Sequence, residues 1–153
     1  MAIVVGVDGS PESREALRWA LAEAKLRDTP LRVMGAFDVP LDGVSGVASM
    51  MVTPLYEPSD VDASEIRQAT ELGLENVFAE VAQDVPGADE VRVEHEALEG
   101  HAAEVLVAAA DGEELLVVGS RGRGGFAGLL LGSVSQACVQ HARCPVVIVR
   151  RVD

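Results

Sequence analysis

Leu115-Leu116-Val117-Val118-Gly119-Ser120-Arg121-Gly122-Arg123-Gly124-Gly125-Phe126-Ala127-Gly128-Leu129-Leu130-Leu131-Gly132-Ser133 joins a short aliphatic run to a glycine-rich segment and then to the start of a helix. Leu115 to Val118 is short, apolar and bounded by glycine, as a buried strand should be. A helical pattern then runs from about Ser133 to His141. In open α/β sheets ligands bind beyond the carboxyl ends of the strands, which is where this segment starts. Its glycines let main-chain N–H groups approach a ligand with no Cβ in the way. The free N–H groups at the start of the following helix favour an anion. Ser133 adds a hydroxyl, and Arg121 and Arg123 carry positive charge. The stretch suits a phosphate group. It is not a Walker A loop, because no lysine stands in this region, and Val7-Asp8-Gly9-Ser10 after the first strand does not match the dinucleotide fingerprint.

Outward from this stretch, short β-branched runs alternate with longer helical patterns. Ile3 to Val7 reads as a first strand. Ser10 follows as a helix cap and Pro11 as the first helical residue. That helix runs to about Arg27, with Ala16, Leu17, Ala20, Leu21 and Ala24 on one face. Leu31 to Phe37 is a second strand, and Asp38 to about Ser59 a long loop with Pro40, Gly43, Gly46, Pro54 and Pro58. A second helix covers about Asp60 to Gln83, stopped by Pro86 and Gly87. Glu90 to His95 is a third strand, His101 to Ala110 a third helix, and Pro145 to Arg150 a fifth strand after the fourth at Leu115. Strands interleaved with helices in this way imply a parallel sheet with helices on both faces. With no repeat, linker or low-complexity tract, residues 1–153 are expected to form a single domain.

Composition narrows the partners. The chain has 153 residues, 48% of them hydrophobic but only 3% aromatic, so Val, Leu, Ile and Ala must build the core. A formal net charge of −13 opposes nucleic-acid binding, which needs a basic face, and disfavours anionic membranes. Lys25 is the sole lysine, so a phosphate site must use main-chain N–H groups, hydroxyls or arginine. Two cysteines make no disulfide framework, no signal peptide is evident, and no apolar run approaches the ~20 residues of a membrane span. The expected compartment is the cytoplasm.

Gly119, Gly122, Gly132 and Ser133 have the spacing Gly, two residues, Gly, nine residues, Gly, Ser. In this the chain resembles the ATP-binding members of the universal stress protein family. The resemblance extends to Val7-Asp8-Gly9-Ser10, to the order of elements, and to His141-Ala142-Arg143-Cys144-Pro145-Val146-Val147, and so spans essentially the whole chain. It implies a Rossmann-like α/β fold, an open five-stranded parallel sheet of order 3-2-1-4-5, with strands one and four adjacent and Asp8 facing Gly119. It also implies ATP as ligand, with magnesium (Mg2+) commonly accompanying it. By the same resemblance Asp8 lies near ribose and phosphates, and the backbone of Ala36 contacts adenine. Gly119 and Gly122 lie by ribose and phosphates, while Gly132, Ser133 and Val134 hold the phosphate end. Two departures are Gly35, where many members carry His, which loosens the adenine side, and His101, where Pro is frequent.

The plainer roles of these residues are also clear. Ser10 is first a helix cap and only second a phosphate contact. Asp8-Gly9 is a common turn pair, and Arg121 and Arg123 also suit a solvated loop. Cys138, His141 and Cys144 make a poor tetrahedral set, so no metal centre is expected from them. His95 and His101 have no partnered nucleophile, so no catalytic residue is assigned. Val146 to Val149 forms an apolar edge strand that needs a cover, and relatives commonly dimerise there, so a homodimer is expected. The leading expectation is a nucleotide-dependent switch read by an unknown protein partner in stress response. The alternatives are a slow ATPase or nucleotidyl-transfer enzyme, and a nucleotide-free dimeric interaction module.

Overall fold

The computed structural model describes residues 1–38, 62–122 and 130–151. Of the expectations above, Arg123 and the loop beyond Asp38 lie outside the described residues. The elements are β1 (Ile3–Gly6), α1 (Pro11–Arg27), β2 (Leu31–Phe37), α2 (Ala63–Ala82), a 3-10 turn (Ala88–Glu90), β3 (Val93–Glu99), α3 (Ala102–Ala110), β4 (Leu115–Gly119), α4 (Ser133–His141) and β5 (Val146–Val149). The strands form one parallel sheet in the order β3-β2-β1-β4-β5. This is the expected order.

The period of two along each strand divides the core into two layers. Ile3 and Val5 of β1, Leu31 and Val33 of β2, and Leu115 and Val117 of β4 pack with the apolar faces of α1 and α2. Val4, Met34, Leu116 and Val118 pack on the other side, with Leu106 of α3 and Cys138 of α4. Burial on both faces explains why β1 and β4 read as unbroken aliphatic runs rather than alternating ones. Replacing one of these larger side chains by alanine would cost about 2–5 kcal/mol. Cys138 is fully buried, and its thiol is pushed up to about 11 by that burial, which suits a core residue rather than a metal ligand.

Helix α1 forms as its sequence suggests. Ser10 caps it through Oγ, Pro11 follows as its first residue, and its buried face is Ala16, Leu17, Ala20, Leu21 and Ala24. It ends at Asp28 in the left-handed region, whose N–H reaches back to the carbonyls of Ala24 and Lys25. Gly35 faces α2. A Cβ there would come within 3.1 Å of Leu74 Cδ2 and 3.3 Å of Thr70 Cγ2, so the space a larger residue would need belongs to α2.

One strand differs from its expectation. The third was expected over Glu90 to His95, but β3 spans Val93–Glu99. Gly87, at a φ of 77°, opens the 3-10 turn that takes Ala88–Glu90, and β3 pairs with all of β2 from Val93 opposite Leu31 to Glu99 opposite Phe37. Long-range pairing fixes the length of this edge strand, whose own sequence, Val-Glu-His-Glu-Ala-Leu-Glu, marks no clear start.

Candidate functional site

The sheet order places the site. Sequential crossovers run outward from β1 to β2 to β3, and from β4 to β5 in the opposite sense, so the chain reverses between β1 and β4. A crevice opens at the carboxyl ends of the strands at such a reversal. Ile3, Val4 and Val5 pair with Leu115, Leu116 and Val117; the same register carried two residues on sets Val7 level with Gly119. On the other side Gly6 pairs with Met34, so Ala36 falls level with Asp8.

The β1–α1 turn is a small hydrogen-bonded knot. Asp8 Oδ1 accepts from the Ser10 N–H at 2.9 Å, and Ser10 Oγ accepts from the Ser13 N–H at 3.2 Å. The Ser13 hydroxyl donates to the Ser10 carbonyl at 3.0 Å and accepts from the Asp8 N–H at 3.3 Å. Gly9 adopts a φ of 84°, a left-handed conformation that glycine takes at no steric cost. The knot fixes the Asp8 carboxylate and leaves it half-buried.

The second wall comes from β4 and α4. A Cβ on Gly122 would sit 2.8 Å from Asp8 Oδ2, so the main chain of Gly122 passes directly over that carboxylate. A Cβ on Gly119 would meet the main chain of Glu12 at 2.9 Å, so the end of β4 rests on the first turn of α1. Gly132 lies against Arg121 and Gly122: its Cβ would be 3.4 Å from Arg121 Cα and 3.5 Å from the Gly122 nitrogen. The Ser120 carbonyl closes the base of the bend, accepting from the Gly132 N–H at 2.7 Å and the Ser135 hydroxyl at 3.0 Å.

Helix α4 therefore starts at the mouth of this crevice. Its N-cap is Gly132, and no side chain among the described residues caps it. Ser133 is exposed, whereas the Val134 side chain turns into the core under β4, which leaves Val134 its main-chain N–H for the site. The geometry brings together Asp8, Gly119, Arg121, Gly122, Gly132 and Ser133. Ser10 is buried and engaged as a cap, and Ala36 lies one strand away on β2.

Three contributors escaped the sequence reading. Glu12 pairs with Arg121, Oε1 to Nη2 at 3.7 Å, and its side chain is only 14% exposed. Ser13 ties the turn together, and Ser135 bonds the end of β4. Ser13 is the third residue of its helix, a position where a hydroxyl often bonds locally, and that was the available signal. Glu12 gave none, since an acid in a first turn ordinarily just complements the helix dipole.

A doubly wound α/β sheet with a glycine-walled crevice at its reversal point is the class that fold and site define together. The family model described as the universal stress protein family matches residues 1–150. The chain belongs to the universal stress protein family. It is 34% identical over 153 residues to universal stress protein Rv2623 of Mycobacterium tuberculosis; the match covers 100% of this chain and 48% of that protein, so the chain spans about half that relative's length. Among solved structures, the universal stress protein UspA from Lactobacillus plantarum has the same fold, with a TM-score of 0.72 at 22% identity over 98% of this chain and 97% of that one. A universal stress protein in complex with cAMP is similar at a TM-score of 0.65 and 27% identity, over 97% of this chain and 96% of that one. Among the described residues no helix is long and apolar enough to cross a membrane.

Proposed function

We propose that residues 1–153 form a single unit that binds an adenine nucleotide, ATP with Mg2+, in the crevice between β1 and β4, and acts as a nucleotide-dependent regulator in stress response. The observation that carries this reading is the start of α4, capped by no side chain among the described residues, beside the close-packed Gly119, Gly122 and Gly132. Main-chain N–H groups at a helix start attract phosphate, and the close-packed glycines bring that start beside Asp8. The relative that holds cAMP supports adenine as the base.

In this reading Gly132, Ser133 and the Val134 N–H hold the phosphate end, and Gly119 and Gly122 border ribose and phosphates. Ala36 meets adenine through its backbone, Arg121 is the cation at the bend, and Ser10 positions Asp8 as the cap of α1. Magnesium keeps several waters and takes phosphate oxygens together with one or two carboxylates. Asp8 offers such a carboxylate, with Oδ1 holding the turn and Oδ2 directed at Gly122, so the donor set fits an ion carried in with the phosphates.

The protein would work in the cytoplasm as a homodimer paired through β5, whose four residues are all half-buried and aliphatic at the sheet edge. Its free Cys138 and Cys144 suit a reducing compartment. A net charge of −13 supports small-molecule and protein partners over nucleic acid. Calorimetric titration with ATP and magnesium tests the reading, with a Kd tighter than about 100 μM expected. No binding of ATP, ADP, AMP or cAMP overturns it. Steady hydrolysis at about 1 per second or faster would make the protein an enzyme rather than a switch.

A further inference from the structure

The bend that follows β4 runs over two carboxylates, and only one of them belongs to the motif. Asp8 lies under Gly122. Glu12, the second residue of α1, lies under the end of β4 and reaches Arg121 at 3.7 Å. Its main chain cannot withdraw, because Gly119 is packed against it with room for no more than a hydrogen. Its side chain, 14% exposed, is largely removed from water, where a charge needs an opposite charge close by. The guanidinium of Arg121 meets that need.

This arrangement affects an incoming anion. Phosphate groups entering beside α4 would meet Asp8, Glu12 and Arg121, a trio whose formal charges sum to minus one. The attraction of the arginine is already shared with Glu12 before any ligand arrives. We infer that Glu12 is a specificity-determining residue of the phosphate site: by neutralising Arg121 it limits what each additional phosphate adds to affinity. The inference rests on the adenine-nucleotide reading above. With the pair in place, the hold on further phosphates falls to the main-chain N–H groups, and the arginine adds little to it. With Glu12 uncharged, each further phosphate meets a site one unit less negative.

The test is a double-mutant cycle. The unmodified chain, Glu12→Gln, Arg121→Gln and the double variant are titrated with AMP and with ATP, at one magnesium concentration and one ionic strength. Glu12→Gln should tighten ATP about tenfold and AMP no more than about threefold, the scale of one like-charge contact at a partly screened site. Arg121→Gln should weaken ATP about tenfold in the unmodified background, because Glu12 then faces the phosphates without its cation, and should cancel the whole gain in the Glu12→Gln background. Glu12→Ser, which also suits a helix's first turn, is a second variant with the same expected gain. Unchanged or weakened ATP binding in both Glu12 variants overturns the inference, as does a gain that persists without Arg121. If the unmodified chain binds no nucleotide, the function proposed above fails, and inorganic tripolyphosphate becomes the probe of the pair. A gain in the Glu12 variants that depends on Arg121 then supports the inference, and no gain overturns it.

Discussion

Helices α1 and α4 begin at the same edge of the sheet, after adjacent strands, and treat their first turns in opposite ways. At α1 the Ser10 hydroxyl takes the Ser13 N–H, Asp8 takes the Ser10 N–H, and proline occupies the first helical position. The positive end of that helix is satisfied by its own residues. At α4 the cap is glycine, with no side chain to offer. Two helix dipoles converge on one sheet edge, and among the described residues only one of them has a side-chain cap. The capped helix positions a carboxylate, whereas the other is, in the function proposed above, the one that receives the anion. Identical secondary structure thus serves two purposes, and the cap residue decides which.

Removing that asymmetry should have the largest effect. Gly132 has a φ of −76° and ψ of 172°, which any residue adopts, and a Cβ there meets its nearest neighbour at 3.4 Å. Gly132→Asp would give α4 its own anionic cap. Nucleotide affinity should fall about a hundredfold, while stability to urea should hold or rise by up to about 1 kcal/mol. A variant that still binds at full strength would show that the start of α4 is not the phosphate site.

Gly119→Ala probes the contact between the end of β4 and the first turn of α1. Its Cβ would meet main chain rather than the end of a flexible side chain, so urea unfolding should show a loss of about 2 kcal/mol. Ser10→Ala removes the α1 cap and should cost about 1 kcal/mol of stability. Its effect on nucleotide affinity, through a loosened Asp8, should be far smaller than that of Gly132→Asp, and calorimetry compares the two directly.

The mildest test uses pH to move stability without touching either helix start. His95 on β3 packs edge-on against Phe78 at 5.2 Å, and its buried Nε2 has no hydrogen-bond partner among the described residues. Burial disfavours the imidazolium and lowers the His95 pKa, with Glu75 opposing more weakly. The unfolded chain therefore takes up a proton that the folded chain resists. The stability from His95 is complete above the unfolded value of about 6.5 and is lost as pH falls below it. Thermal unfolding at pH 7 and pH 5.5 should show a drop that His95→Phe reduces.

Much of this was legible in the sequence because local and global signals agree. The strands β1 and β4, the cap and proline of α1, and the apolar face of that helix are each set by short-range chemistry. The edge strand β3 was misplaced because its boundaries come from pairing with β2, which no local pattern in Val93–Glu99 announces. The spacing of Gly119, Gly122 and Gly132 pointed to a phosphate bend, but not to what each glycine touches. Only the adjacency of β1 and β4 shows that Gly122 makes room for Asp8 and Gly119 for Glu12. The Glu12–Arg121 pair joins residues more than a hundred positions apart and could not be read from either alone.

The carbonyl of Ser120, which accepts two hydrogen bonds, has a mechanical consequence. The Gly132 N–H and the Ser135 hydroxyl converge on that one oxygen, so the departure of the chain from β4 and its return into α4 are tied at a shared anchor. The two segments thus share a single footing, and Ser135→Ala should loosen both at once, leaving the Gly132 N–H as the remaining tie.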